Sequence, residues 1–349
     1  LPRSLARRKI LLTGASGVVG EALLPRLLAL GADVVCLTHR SLVAQPGVES
    51  VVGDLTRPRF GLTPHEFRSL GRRVDVVVHS AAVTDFNRED GSLEATNVLG
   101  VRHVLDFVAT AEACLYHLST AFVDTHAVGE RGRTAVRYAT SKREGEALVR
   151  NSALPHVILR PSIVIGDSMT GQISAFQGIY LVAGALLRGT IPMIPFDPGW
   201  PVDFIPRDVL ADAITAVIRA GLTAGEFWLT AGSDALSLEQ AVAVVLRVAE
   251  ETGIPPVPPR FIPPDLFDRL VAPVFFEALP ERLRTRLMRL LDFFAVYLAR
   301  DKQLPTSLPQ LRGLGVGLLP EPAQSLHRSL RYWVDVTHPT AATDREKVA

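Results

Sequence analysis

The sequence predicts an α/β fold, a doubly wound parallel sheet followed by a smaller, mainly helical C-terminal region. Three observations carry that expectation. Strand-type and helix-type segments alternate through the first half of the chain, the pattern of a parallel sheet with helices on both faces. A glycine-rich loop, Thr13-Gly14-Ala15-Ser16-Gly17-Val18-Val19-Gly20, joins the first apolar run to the first helical one. Beyond Gly166 the alternation gives way to small, apolar and proline residues.

Ile10 to Thr13 is the first strand, and Glu21-Ala22-Leu23-Leu24 continues the loop as a helix. Pro25, inside that helix, should remove a hydrogen bond or kink the axis. The loop between them reads as a Rossmann-type phosphate cradle. Gly14 allows a sharp turn, Gly17 leaves backbone N–H groups open to a pyrophosphate, and Gly20 lets the helix pack close, with its positive N-terminus toward the phosphates. Thr13, Gly14, Ser16, Gly17, Val18 and Gly20 are therefore assigned to a dinucleotide.

The second strand, Asp33 to Leu37, runs into Thr38-His39-Arg40. An acidic residue there would hold the ribose 2′-hydroxyl of NAD, whereas a base receives a 2′-phosphate. His39 and Arg40 thus predict NADP(H), with Arg40 on the phosphate. After the third strand, Val48 to Gly53, come Asp54 and Leu55, where the aspartate either bonds the adenine amine or closes a turn. Thr63-Pro64-His65-Glu66 is a capping box with proline at the first helical position.

The fourth strand, Val74 to His79, leads to Ser80, Ala81 and Ala82, whose small side chains leave room for a flat cofactor. Past the fifth, Leu115 to Leu118, Ser119 and Thr120 place hydroxyls at the carboxyl edge, where such sheets bind ligands. Tyr138 and Lys142, at i and i+4, share one face of a helix running to about Asn151. The ammonium is expected to lower the phenol's pKa from ~10, so that Tyr138 passes a proton to a carbonyl oxygen. His156 to Arg160 is the sixth strand.

With 349 residues, one large domain or two intimate ones are expected. Lys and Arg number 37 against 36 Asp and Glu, a balance that gives no reason to expect nucleic acid as a partner. Cys36 and Cys114 read as buried, reduced thiols, and no His, Cys and carboxylate cluster has ligand spacing, so no metal is expected. The apolar runs Ile179 to Leu187 and Phe293 to Ala299 are too short to span a bilayer. Leu1-Pro2-Arg3 opens no long apolar segment, so no signal peptide and a cytoplasmic location are expected.

With these residues assembled, the chain resembles the extended short-chain dehydrogenase/reductases over roughly residues 8 to 235. Within them it is most similar to the fatty acyl-CoA reductases, the reductase domains of carboxylic acid reductases, and the thioester reductase domains of peptide and polyketide synthases. The likeness rests on His79 to Phe86, Leu118-Ser119-Thr120-Ala121, Leu159-Arg160-Pro161-Ser162-Ile163-Val164-Ile165-Gly166, and Val202 to Val209. It implies a catalytic set of Thr120, Tyr138 and Lys142, with Ser119 beside it and Asn97 supporting a water relay to the lysine. Pro161 and Ile163 are assigned to the cofactor with Ser80, Ala81 and Ala82, and Asp203 to ordering loops beside the site.

The implied activity is NADPH-dependent reduction of an acyl thioester, held on CoA or an acyl carrier protein, to an aldehyde or onward to an alcohol. Only 17 residues separate Thr120 from Tyr138, fewer than most long-chain acyl reductases have, which argues against a long-chain substrate. No adenylation or carrier segment is visible in this sequence, so the acyl group is expected to come from a partner, with the enzyme a monomer or homodimer. Three other readings stay open: a dehydrogenase or ketoreductase of a free alcohol or carbonyl, a nucleotide-sugar epimerase or dehydratase, and a non-catalytic NADP-binding sensor.

The expected organisation is an NADP-binding core over 7–166, with 201–231 returning to it. A substrate-binding or lid region covers 167–200 and 232–339, and 340–349 is a disordered tail. Ile191 to Trp200 reads as an irregular loop over the site. Phe227 to Thr230 is a further strand, and Ser237-Leu238-Glu239-Gln240 caps a helix running to Thr252. After a proline-dense connection, Leu266 to Leu279 and Arg282 to Leu298 read as apolar helices, either walls of an acyl pocket or core-packing elements. Arg282, Arg284, Arg286 and Arg289 add a basic run.

Overall fold

The computed structural model describes residues 7–39, 43, 45–84, 90–123, 133–277, 280–282, 284, 285, 287, 288 and 302–337. Arg40, Asp85, Phe86, Arg286, Arg289, most of the helix predicted over Arg282 to Leu298, and the predicted tail lie outside the described residues.

Seven parallel strands form the central sheet: β1 (Lys9–Thr13), β2 (Asp33–Thr38), β3 (Val48–Val52), β4 (Val76–His79), β5 (Cys114–Leu118), β6 (His156–Pro161) and the strand Ala224–Leu229. Their order across the sheet is Ala224–Leu229, β6, β5, β4, β1, β2, β3. The chain starts in the middle, winds to one edge, then returns past β1 to wind to the other. The switch point therefore lies between β1 and β4, where such sheets open a crevice at their carboxyl ends. The strand expected over Phe227 to Thr230 begins earlier because its ladder with β6 extends through Ala224, Gly225 and Glu226. These exposed residues carry no apolar signal.

Helices α1 (Val18–Ala29), α2 (Pro64–Gly71), α3 (Ser92–Glu94), α4 (Gly100–Ala111) and α5 (Arg133–Arg150) connect the first six strands, with β2 running to β3 without a described helix and α3 and α4 both between β4 and β5. They are followed by α6 (Ile179–Leu187), α7 (Arg207–Arg219) and α8 (Leu238–Glu251). Both predicted capping boxes form, Thr63 with Glu66 and Ser237 with Gln240. Each is worth about 1 kcal/mol to its helix. Pro25 sits inside an unbroken α1.

Burial explains the layers. On one face α1 and α7 cover Ile10, Leu12, Val78 and Leu159, and an Arg26–Asp212 ion pair at 2.6 Å ties the two helices together. On the other, α2, α4 and α5 cover Leu11, Val35, Val77, Leu115 and Ile158. A third cluster joins α6 and α8 to Leu326, Leu330 and Trp333 of the C-terminal helix Pro322–Thr337. Cys36 is buried, Cys114 half-buried, and both are free.

Short pairings carry the chain between sheet and helical region. Ile163–Ile165 runs parallel to Phe204–Pro206, and buried Asp203 accepts hydrogen bonds from the N–H groups of Ala231 (2.8 Å) and Gly232 (2.9 Å). Ile191 to Trp200 is irregular apart from Met193–Ile194, and none of it lines the cavity at the strand ends. Its Met193–Ile194 pairs with Arg260–Phe261, and Ile194 and Phe196 are buried in the third cluster. The apolar stretch from Leu266 is helical through Glu277, with a π turn over Phe267–Val271.

Candidate active site

A cavity of about 360 Å³ opens at the carboxyl ends of the strands. Its lining takes Gly17, Val18 and Val19 from the glycine loop and α1, and Ser80 and Ala82 from the turn after β4. Ser119 and Thr120 contribute from the end of β5, Tyr138 and Lys142 from α5, and Pro161 to Ile163 from the end of β6. Residues far apart in the sequence thus converge because a parallel sheet brings every strand's carboxyl end to one side.

The glycine loop has the shape the sequence requires. Gly14 stands at φ +73°, and a Cβ there would meet the backbone of Ala81 at 2.6 Å. At Gly20 a Cβ would run into the Gly14 carbonyl oxygen, so glycine lets α1 pack on the loop itself rather than on the strand. The N-cap of α1 is Gly17, whose missing side chain leaves the first helical turn open to the cavity. This cradle fits a diphosphate. Thr13 faces the other way: it is fully buried, its hydroxyl 2.7 Å from His79 Nδ1 and accepting the Ala81 N–H at 3.2 Å.

Just past β5, Ser119 and Thr120 are buried. Among the described residues Ser119 Oγ has no hydrogen-bond partner. Thr120 Oγ1 accepts the Phe122 N–H at 3.4 Å, which leaves its own proton to donate. Lys142 Nζ donates to the Leu118 carbonyl at 2.7 Å. Burial lowers its pKa to about 8, against the opposing charge of Glu146. Burial raises the Tyr138 phenol, the reverse of the shift expected from a neighbouring ammonium, because desolvation dominates while Lys142 is turned to Leu118.

Asn97 is buried in a π turn, Ala95–Leu99, between α3 and α4. Its Oδ1 accepts the Val83 N–H at 2.9 Å, and its Nδ2 donates to the Val83 carbonyl and Ser141 Oγ, both at 3.0 Å. The side chain thus clamps the β4 turn to α5 and does not line the cavity. Gly145 permits the approach, since a Cβ there would collide with the Asn97 carbonyl oxygen. Sequence reading missed Gly145, although a glycine three residues past Lys142 in a helix is a visible signal.

It also missed the buried pair His79 and His117. They are neighbours in the sheet register and stack at 5.4 Å. Burial first, then Lys142, lowers His79 to about 3 and pushes His117 well below its usual range.

The adenine end is less gathered. Asp54 closes its own turn on Thr56 N–H (2.9 Å) and Oγ1 (2.7 Å), with His39 Nε2 3.8 Å away. The Leu55 carbonyl lies 2.8 Å from His103 Nδ1. Phe122, Ile173, Ala175 and the residues from Gln177 to Tyr180 also line the cavity. No described residue from 266 onward lines it. No group of three His, Cys, Asp or Glu suited to a metal, and no helix long and apolar enough to cross a membrane, occurs among the described residues.

A family profile described as male sterility protein, an NAD-binding family, matches residues 39–214, half of the chain. Glycine betaine reductase ATRR of Emericella nidulans is 29% identical over 251 residues, covering 59% of this chain and 19% of that protein. The hybrid PKS-NRPS synthetase poxE of Penicillium oxalicum is 30% identical over 245 residues, covering 62% of this chain and 6% of that protein. The chain therefore spans less than a fifth of the length of either relative. In fold, it is similar to the terminal R domain from the myxalamid PKS-NRPS biosynthetic pathway. That likeness has a TM-score of 0.75 at 24% identity, over 98% of this chain and 94% of that one.

Proposed function

This chain belongs to the NAD-binding family described as male sterility protein, and on that premise we propose that it is an NADPH-dependent reductase of an acyl thioester carried by CoA or an acyl carrier protein. The observation that carries the reading is the convergence of Ser119, Thr120, Tyr138 and Lys142 on one cavity whose other end is the glycine cradle. Two of the relatives are a reductase and a multifunctional synthetase far longer than this chain, which supports a thioester delivered by a partner segment or protein.

The bound NADPH would supply hydride to the thioester carbonyl carbon. Every other task falls to the chain. Ser119 and Thr120 hydroxyls donate to the carbonyl oxygen as it gains charge, in a site where burial strengthens such bonds. Tyr138 gives that oxygen its proton, which yields a hemithioacetal. Lys142 swings from the Leu118 carbonyl to the nicotinamide ribose, and its charge eases the proton off the phenol. When the carbon–sulfur bond breaks, the hemithioacetal hydroxyl gives up its proton as its oxygen becomes the aldehyde carbonyl, and the leaving thiolate takes up that proton to become a free thiol. Asn97 positions this set by holding Val83 against Ser141. Thr13 and His79 brace the two loops of the cradle.

His39 and Arg40 stand in the sequence where an acidic residue would hold the 2′-hydroxyl of NAD, and favour the 2′-phosphate of NADP(H), with Asp54 3.8 Å from His39. Asp54 and Leu55 would border the adenine, and Pro161 and Ile163 the nicotinamide. One titration tests the assignments together. Tyr138→Phe should lower turnover by about 10²-fold or more with NADPH affinity nearly intact. Arg40→Ala should weaken NADPH by about tenfold or more and NADH little. Full activity in the first, or equal losses of both nucleotides in the second, would remove the respective role.

A further inference from the structure

The proposed reading leaves the acyl group unspecified, and the far wall of the cavity bears on it. Beside the hydroxyls the lining includes apolar Phe122, Ile173 and Ile179, and Tyr180, which is 2% exposed. Tyr180 is locked. Its hydroxyl lies 2.5 Å from Ser329 Oγ on the C-terminal helix and accepts the Gly166 N–H at 3.2 Å. Its ring meets Phe176 edge-on at 5.3 Å. The lining also includes exposed Thr84 and Gln177, and Thr84 Oγ1 donates to Gln177 Oε1 at 2.7 Å.

Behind this wall lies a second, wholly apolar void of about 20 Å³, bounded by Val182, Val202, Phe204, Val242 and Leu326. Ile179 is the residue the two linings share. The main cavity, at about 360 Å³, stands near the low end of the roughly 300–1,000 Å³ typical of ligand pockets, and the nicotinamide end of the cofactor must share it.

We propose that the site takes a short, apolar acyl group, and that Ile179, backed by the anchored Tyr180, sets the chain-length limit by closing the cavity off from the apolar void behind it. This rests on the thioester reading for its reaction, but the wall itself can be tested separately.

The test compares acetyl-, butanoyl-, octanoyl- and dodecanoyl-pantetheine thioesters in native, Ile179→Val and Ile179→Ala protein. Native kcat/KM should fall about tenfold or more from butanoyl to octanoyl, since a hydrophobic pocket discriminates by about that factor or more per excess methylene. Ile179→Ala should recover about tenfold for octanoyl relative to butanoyl, with Ile179→Val between. NADPH affinity reports that each variant is folded. Native protein that handles octanoyl as well as butanoyl overturns the wall, as does an unchanged cut-off in folded Ile179→Ala. The same series is also read as thermal stabilisation of NADPH-loaded Tyr138→Phe protein, with and without Ile179→Ala. A cut-off there that moves with Ile179→Ala, without thioester turnover in the native chain, keeps the wall and fails the reduction reading. Equal stabilisation at all lengths overturns the wall.

Discussion

At Lys142 the chemistry and the fold compete. An ammonium beside the Leu118 carbonyl, buried and faced by two neutral histidines, has its pKa lowered to about 8, and only the charge of Glu146 opposes that fall. The charged form exists below that value and is lost above it. Reduction should therefore slow as pH rises through about 8, and Glu146→Gln should move that alkaline limb lower; a flat kcat/KM profile to pH 10 would contradict it. The buried histidines act at the other end of the scale. His79, at about 3 when folded and ~6.5 when unfolded, binds its proton only in the unfolded chain between those values. Stability His79 contributes is full above ~6.5 and is lost as pH falls from there toward 3, by about 1.4 kcal/mol per pH unit. Urea midpoints at pH 7 and 5 should show this loss, reduced in a His117→Phe variant; equal midpoints would mean the pair is not held neutral. That Tyr138, Lys142, Ser119 and Thr120 face one cavity was legible in the sequence, because spacing and strand ends place them. His79 and His117 were not, because a strand's alternation does not reveal which residue the sheet sets beside it.

The element that matters most is α5. It carries Tyr138, Lys142 and Glu146 along one face, and Glu146 joins buried Arg160 of β6 at 2.7 Å, fixing the helix to the sheet. Its depth is set by Gly145 on the Asn97 carbonyl. Gly145→Ala should push α5 outward, costing about 1–3 kcal/mol of stability as overpacking does. Turnover should drop more than NADPH affinity does, since the reacting side chains ride on the helix. Thermal melts and kinetics check this, and an active, undisturbed variant would show that α5 needs no close approach. The six strands of the first half were legible from their apolar runs, within a residue or two at each end. Met193–Ile194 was not, because a two-residue strand depends on its partner, Arg260–Phe261, nearly seventy positions away.

For the whole molecule, the doubly wound order puts the cradle and the reacting groups on the same edge, and the helical region closes the far end of the cavity. The alternation of elements foretold the first. The second stayed open in the sequence, where the apolar stretches after Leu266 suited either a pocket wall or packing on the core. Hydrophobicity marks burial without saying against what, and the wall comes instead from Ile173 to Tyr180, held by Ser329. The central claim joins both halves: the cavity reduces a thioester. It is tested most directly by following NADPH oxidation and free-thiol release together, with butanoyl-pantetheine and butanal as alternative substrates. The account predicts thiol appearing in step with NADPH consumed, one for one if the aldehyde is released and one for two if reduction continues to the alcohol. NADPH oxidised only with butanal, with no thiol formed from the thioester, would contradict it and make the protein a reductase of free carbonyls.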